Sequence, residues 1–162
     1  MITLQRIVVL TCLILLSTAC NKGNDIALAQ TDLLKYGMPS TVNIPVTANV
    51  TKGSFGSIEE VYIKDSASFF NIQIKAVPAG TADVTVSKAE EMSYVRQDPY
   101  FSKLVQEDRD GFIYENNVDS TLISYHFKYC ILQGGKTFVF ENDQGSSPTL
   151  EEAKFMYETV KQ

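Results

Sequence analysis

ISYHFKYCILQGGKTFVFE, residues 123–141, is the stretch that decides the fold of this chain. Large apolar side chains alternate with small or polar ones from residue 123 to residue 131, a period of two that is typical of a strand with one buried face. Gly134 and Gly135 supply the positive φ angles that a tight turn needs, and a second strand returns from Thr137 to Glu141. The stretch therefore predicts an antiparallel β-hairpin.

Four further strands are predicted upstream of the hairpin. Residues 41–50 alternate strictly, with Pro45 on the polar phase, which indicates an edge or bulged strand because proline cannot donate to a ladder. Residues 58–64 form the second strand, and the turn at residues 65–68 leads to the third, residues 70–76. A short strand at residues 112–115 precedes the hairpin, which makes six strands in all.

Helical patterns separate and follow these strands. A loose apolar stripe runs up to Gln97, and Ser87 to Glu90 match a capping box. Asp98 and Pro99 then predict the start of a second, short helix whose buried side is Tyr100, Phe101, Leu104 and Val105. A second capping box, residues 149–152, opens an amphipathic C-terminal helix.

The predicted element order is βββ-αα-βββ-α. Adjacent strands with short turns favour an antiparallel sheet with helices packed on it, an α+β domain. Because the strands are sharply two-faced, we expect the helices mainly on one face. The element order is similar to the PsbP-like fold of extrinsic photosystem proteins and some bacterial lipoproteins. Residues 100–162 also resemble small uncharacterised envelope lipoproteins, a resemblance that implies no activity.

The N-terminus carries a targeting signal. Arg6 precedes the apolar run IVVLTCLILL, residues 7–16, which as a helix reaches roughly 15 Å, half of a ~30 Å hydrocarbon core. This length is typical of a secretory signal rather than a membrane span. Ser17, Thr18 and Ala19 then precede Cys20.

Residues 15–20 resemble the lipobox of bacterial lipoproteins, with Ser17 where that pattern commonly has Leu. The resemblance implies that Cys20 is lipidated and becomes the mature first residue, and Asn21 after it favours the outer membrane. We therefore expect a signal peptide at residues 1–19, a flexible tether at 20–30 and one domain at 31–162. We expect the lipid on Cys20 to attach the protein to the membrane, which is its expected partner.

Composition and cysteine usage limit the remaining possibilities. The 162 residues carry a net charge of −5, with a pI near 4.9, which excludes an electrostatic surface for nucleic acid. Cys12 lies in the predicted signal peptide and Cys20 is expected to be lipidated, so only Cys130 remains in the domain. No intramolecular disulfide is therefore expected. The apolar neighbours of Cys130 predict a buried, unreactive thiol.

The chain lacks the common catalytic motifs. His126 and Cys130 share a strand face, but four residues of strand separate them by roughly 13 Å, too far for a thiol–imidazole pair. Residues 108–111 do not match a calcium loop because Asn117 falls where a bidentate Glu is needed. We expect no cofactor, no metal and no enzymatic activity. Residues 65–67 and 119–121, Asp-Ser-Ala and Asp-Ser-Thr, resemble a short O-glycosylation motif of envelope proteins.

One surface can be named from the sequence. If the helices cover the apolar face of the sheet, a polar face points to water, and it is the candidate binding face: Asn71, Gln73, Lys75, Ser124, His126 and Lys128. The resulting hypothesis is a membrane-anchored envelope lipoprotein that acts as a non-enzymatic binding or accessory module for a protein or small ligand. The alternative is a periplasmic immunity or inhibitor protein against a toxin or hydrolase.

Overall fold

A computed structural model of the chain describes residues 26–119, 121–143 and 145–161. The predicted signal peptide, Cys20 and residues 21–25 of the predicted tether lie outside these ranges. The described residues form nine strands and two α-helices. In chain order these are β1 (Leu28–Asp32), β2 (Thr41–Pro45), β3 (Asn49–Phe55), β4 (Ile58–Lys64), β5 (Asn71–Pro78), α1 (Val84–Gln97), β6 (Phe101–Glu107), β7 (Gly111–Asp119), β8 (Leu122–Gln133), β9 (Lys136–Asn142) and α2 (Leu150–Val160).

Seven of the strands form one antiparallel sheet in the order β3-β4-β5-β9-β8-β7-β6, while β1 and β2 pair separately. The predicted hairpin is confirmed as β8 and β9, near the middle of the large sheet. Its turn uses Gly134 and Gly135 at φ of 59° and 74°, a left-handed conformation that a side chain would strain. The register places Lys128 opposite Glu141.

One face of the sheet packs against α2. Phe127 and Tyr129 of β8 both meet Tyr157 edge-on, with ring centroids 5.8 and 6.0 Å apart. Ile72 and Ile74 of β5 are fully buried in the same core. The pair β1-β2 adds to this layer, since Val42 and Ile44 of β2 are buried there too.

The opposite face of the sheet carries α1. Lys128 points away from its neighbours Phe127 and Tyr129, because successive side chains of a strand alternate, and it pairs with Glu91 of α1. Met92 and Val95 of α1 pack with Phe112 on the same side. The two helices therefore cover opposite faces, and the prediction that helices lie mainly on one face is wrong.

The predicted second helix is also wrong, because residues 101–107 form β6. The pairing of β6 with β7 shifts register twice, between Phe101 and Lys103 and again between Leu104 and Gln106. Each shift adds a residue to the strand and breaks the period of two. Apolar residues at 101, 104 and 105 thereby take a helix-like spacing within a strand.

The described residues contain nine strands instead of the predicted six, and the order of the elements also differs from the prediction. Residues 41–50 are not one strand: the chain turns after Pro45, and its two halves belong to different sheets. Residues 28–30, assigned to the tether, lie in β1. The sheet remains mostly antiparallel with helices packed on it, which is compatible with the α+β class.

The two capping predictions have different outcomes. Thr149 and Glu152 form the predicted capping box of α2, with the Thr149 hydroxyl accepting from the Glu152 N–H. Asp83, not Ser87, caps α1 by accepting from the N–H of Thr85. The helix therefore begins one turn earlier than the capping box at Ser87 predicted.

Candidate functional site

A cavity of about 430 Å³ lies between the C-terminal end of α1, strands β7 and β8, and the loop after β9. This volume falls within the ~300–1,000 Å³ that is typical of small-molecule sites. We call it the α1 cavity. Its lining residues are Tyr94, Val95, Asp98, Tyr100, Tyr114, Asn116, Val118, Leu122, Ser124, His126, Phe127, Lys128, Glu141, Asn142, Ser146 and Ser147.

Charged side chains in the floor of the α1 cavity are paired with one another. Lys128 and Glu141 form an ion pair across β8 and β9, and Glu141 is only 3% exposed. Glu91 lies 3.2 Å from the Lys128 ammonium, and Lys75 pairs with the other oxygen of Glu141. Burial disfavours the charge on Lys128, but the carboxylates of Glu141 and Glu91 outweigh it and raise the pKa of Lys128. Burial likewise opposes the charge on Glu141, yet Lys128 holds its pKa below the usual range.

A hydrogen-bonded chain runs through Ser124, His126 and Asn142 beside this pair. His126 Nε2 lies 2.9 Å from Ser124 Oγ, and His126 Nδ1 lies 2.8 Å from Asn142 Nδ2. The backbone N–H of Phe127 donates to Asn142 Oδ1 over 3.1 Å, which directs the amide nitrogen of Asn142 toward the imidazole. Because an amide N–H₂ can only donate, Nδ1 accepts and Nε2 carries the proton that it donates to Ser124.

The surroundings of His126 keep its ring neutral. Burial lowers the pKa of His126, and the Lys128 ammonium lowers it further. The carboxylates of Glu141 and Asp98 raise it, but not enough to reverse the shift. Tyr114 stacks on the ring with centroids 5.5 Å apart. Burial also raises the pKa of Tyr114 to about 12, so its phenol stays protonated and can donate.

The mouth of the α1 cavity is apolar and exposed. Tyr94 is 69% exposed and Tyr100, Val118 and Leu122 are each close to half exposed. In the wall, Asn116 of β7 lies opposite Ser124 of β8 in the sheet register. The buried Oδ1 of Asn116 has no hydrogen-bond partner among the described residues. Aromatic and apolar side chains combined with a few fixed polar groups are typical of a small-molecule site.

The six residues of the predicted binding face do share one face of the sheet, but that face is not open to water. Ser124 and Gln73 are buried, and the Lys128 side chain is 13% exposed beneath α1. Charged groups at alternate positions indicated a solvated face, but Glu91 of α1 and Glu141 supply the partners that allow Lys128 to be covered. The expectation of an open face is therefore corrected.

The structure divides the six residues into two groups. Ser124, His126 and Lys128 line the α1 cavity, and Lys75 reaches it through Glu141. Gln73 instead donates to Glu60 and to the hydroxyl of Tyr62.

Asn71 lies apart from the α1 cavity as well. Its amide donates to Asp143 over 3.2 Å, and Asp143 also pairs with Lys64. Four of the six residues thus line the α1 cavity or reach it through Glu141, whereas Gln73 and Asn71 belong to two other polar clusters.

Sequence reasoning missed several groups that complete the α1 cavity. Tyr114 lies within the strand predicted at residues 112–115, but nothing in the sequence showed that this strand pairs with β8 so that Tyr114 lies opposite His126. Asn142 ends β9 but follows the strand predicted at residues 137–141, and no sequence pattern marks it. A two-residue turn at Gly134 and Gly135 sets Lys128 opposite Glu141, and that pairing was the one signal in the sequence that could have located Glu141.

Cys130 is buried and unpaired, as the sequence predicts. Burial raises the pKa of its thiol to about 12, which keeps it protonated. Of the two glycosylation-like motifs, Ser66 is exposed in the turn before β5. Ser120 of the other motif lies outside the described residues.

The sequence matches no protein-family model and no curated protein. Neither helix of the described chain has the length and apolar character needed to cross a membrane. Within the same residues, no three His, Cys, Asp or Glu side chains are grouped so that they could hold a metal ion.

Proposed function

We propose that this chain is a non-enzymatic binding module, anchored to the outer membrane through lipid on Cys20, which holds a small ligand in the α1 cavity. The single observation that carries the proposal is the cavity itself, with its fixed polar floor and exposed aromatic rim. Side chains held by mutual hydrogen bonds present a preformed site, which lowers the entropic cost of binding.

The tautomer of His126 supports binding rather than catalysis. Ser124, His126 and Asn142 have the order and spacing of a nucleophile, a base and an orienting group. A base must accept the proton of the nucleophile, but Nε2 of His126 already carries a proton because Asn142 donates to Nδ1. The chain of bonds therefore turns the Ser124 hydroxyl into an available donor and leaves its oxygen unactivated.

The anchor rests on the lipobox-like residues before Cys20 and on the tether that follows. Lipid chains contribute about 0.8 kcal/mol per buried methylene, so two or three hold a domain on a membrane firmly. The tether would leave the mouth of the α1 cavity accessible from the periplasm or the cell surface.

A ligand-observed NMR screen tests the proposal. The full chain is solubilised in a detergent without a sugar headgroup and tested against soluble fragments from acidic, basic, aromatic, peptidic and polyhydroxylated classes. Ser147→Leu narrows the mouth from an exposed position, and Ser54→Leu is the matched control on β3, away from the cavity.

We expect at least one class to give saturation transfer that is lost in Ser147→Leu and kept in Ser54→Leu. If every fragment that binds does so equally to both variants, or if none binds, the α1 cavity is not a ligand site and the proposal is wrong.

A further inference from the structure

The charges around the α1 cavity do not select for an ionic ligand. Lys128 is neutralised by Glu141 and Glu91, and His126 is held neutral. Asp98 adds a carboxylate to the lining, which repels an anion. In the floor, Lys128 and Lys75 balance Glu141 and Glu91, so no uncompensated charge there attracts an ion. The floor of the cavity therefore favours an uncharged ligand.

Polar groups in the wall require a ligand that both donates and accepts hydrogen bonds. The oxygen of Ser124 accepts from His126, which leaves the hydroxyl proton free to donate to a ligand acceptor. The Oδ1 of Asn116 needs a donor, and a buried acceptor without one costs about 1–3 kcal/mol. A hydroxyl group satisfies both requirements, because it is donor and acceptor at once.

The aromatic rim adds a preference for a ring with apolar faces. Tyr94 and Tyr100 line the mouth and expose a large part of their surface. A tyrosine ring contacts C–H groups with its face while its hydroxyl bonds polar substituents. A sugar ring presents that combination: C–H groups on its faces and hydroxyls around its edge.

We infer that the ligand of the α1 cavity is a neutral saccharide, seated with its hydroxyls toward Ser124 and Asn116 and a ring face against Tyr94 or Tyr100. This inference rests on the proposed function and names its ligand class. The volume of about 430 Å³ lies in the lower part of the range for small-molecule sites, which suits a short saccharide better than an extended chain.

Saturation-transfer NMR on the full chain, in the same sugar-free detergent, separates the ligand classes. The probes are two neutral disaccharides, cellobiose and N,N′-diacetylchitobiose, together with glucuronic acid, choline and an uncharged capped dipeptide. Tyr94→Ala and Tyr100→Ala remove the rim, and Phe55→Ala removes an exposed aromatic ring far from the cavity.

We expect a neutral disaccharide to give the strongest signal, and at least one of the two rim variants to weaken its binding by about two- to tenfold, as loss of one aromatic contact does. Phe55→Ala should leave the affinity unchanged. Cavity-dependent binding of choline, glucuronic acid or the dipeptide without the disaccharides would overturn the saccharide inference and leave the proposed function standing. Absence of binding by every probe and every fragment would overturn both.

Discussion

Lys128 of β8 lies directly opposite Glu141 of β9, and the two side chains form an ion pair on the face of the sheet that α1 covers. The pair fixes the floor of the α1 cavity, since Lys75 and Glu91 both converge on it. It also explains how a helix can pack over a sheet face that carries so many polar residues.

Loss of the Lys128 charge should destabilise the fold. Lys128→Met leaves Glu141 buried with only Lys75 as a cationic partner, and we expect a loss near the lower end of the ~3–5 kcal/mol seen when one member of a buried pair is removed. Urea unfolding followed by far-ultraviolet circular dichroism measures the change. Lys64→Met is the control, because Lys64 is 55% exposed and its pair with Asp143 should contribute under about 1 kcal/mol. Equal losses in the two variants would show that the Lys128 pair is not buried in solution.

The single histidine of the chain allows a direct test of the tautomer. We expect NMR titration to give His126 a pKa below 6.5, with Nε2 protonated in the neutral ring. Asn142→Asp should raise the pKa and move the proton to Nδ1, because a carboxylate accepts where the amide donates. A neutral ring protonated at Nδ1 in the native protein would contradict the hydrogen-bond chain.

The same group makes stability depend on pH in a defined direction. The pKa of His126 is lower in the folded chain, so the unfolded chain binds the proton more readily. The free energy of unfolding should therefore fall as the pH drops from about 7 through 6.5 toward the folded pKa, and His126→Gln should flatten that part of the curve. An unchanged slope in His126→Gln would assign the pH dependence to other groups.

Asn116→Leu should separate stability from binding. The substitution removes a buried amide oxygen that has no partner among the described residues, so we expect the melting temperature to stay the same or rise. Binding of a polar ligand in the α1 cavity should weaken in the same variant. A marked drop in melting temperature would mean that Asn116 has a structural role.

Two cysteine experiments test the N-terminus and the core. Cys20→Ala should abolish incorporation of labelled palmitate and leave an unprocessed precursor, whereas Cys130→Ala should keep the label.

In a Cys12→Ser, Cys20→Ser background, Cys130 should react with a thiol reagent only slowly until the chain is denatured. Continued palmitate labelling without Cys20 would exclude the lipobox, and fast native labelling of Cys130 would contradict its burial.

The parts of the fold that follow one regular period could be predicted from the sequence. β8 alternates from Ile123 to Ile131 and the C-terminal helix keeps its helical period, while the two turn glycines and the capping box mark where β8 ends and the helix begins. β6 could not be predicted, because its two register shifts give Leu104 and Val105 the spacing of a helix. A local pattern cannot reveal a bulge that exists only relative to a neighbouring strand.

The candidate site was predictable only in part for a similar reason. Alternation placed Ser124, His126 and Lys128 on one face, which is correct. It could not show that α1 covers that face. A charged residue such as Lys128 is predicted to be solvated unless its partner is known, and that partner, Glu91, is distant in the sequence. Asn142, the last residue of β9, lies just past the strand predicted at residues 137–141, and it belongs to the site through its side-chain amide.

The central claim, that the α1 cavity binds a ligand, is tested most directly by mapping where the best-binding compound of the fragment screen contacts the protein. The measurement is the change in amide and His126 ring resonances of the isotope-labelled full chain as that compound is added. We predict saturable shifts at His126, Ser124, Asn116 and Ser146, with none at the turn of Gly134 and Gly135. Shifts confined to other surfaces, with the His126 ring unaffected at saturation, would contradict the account.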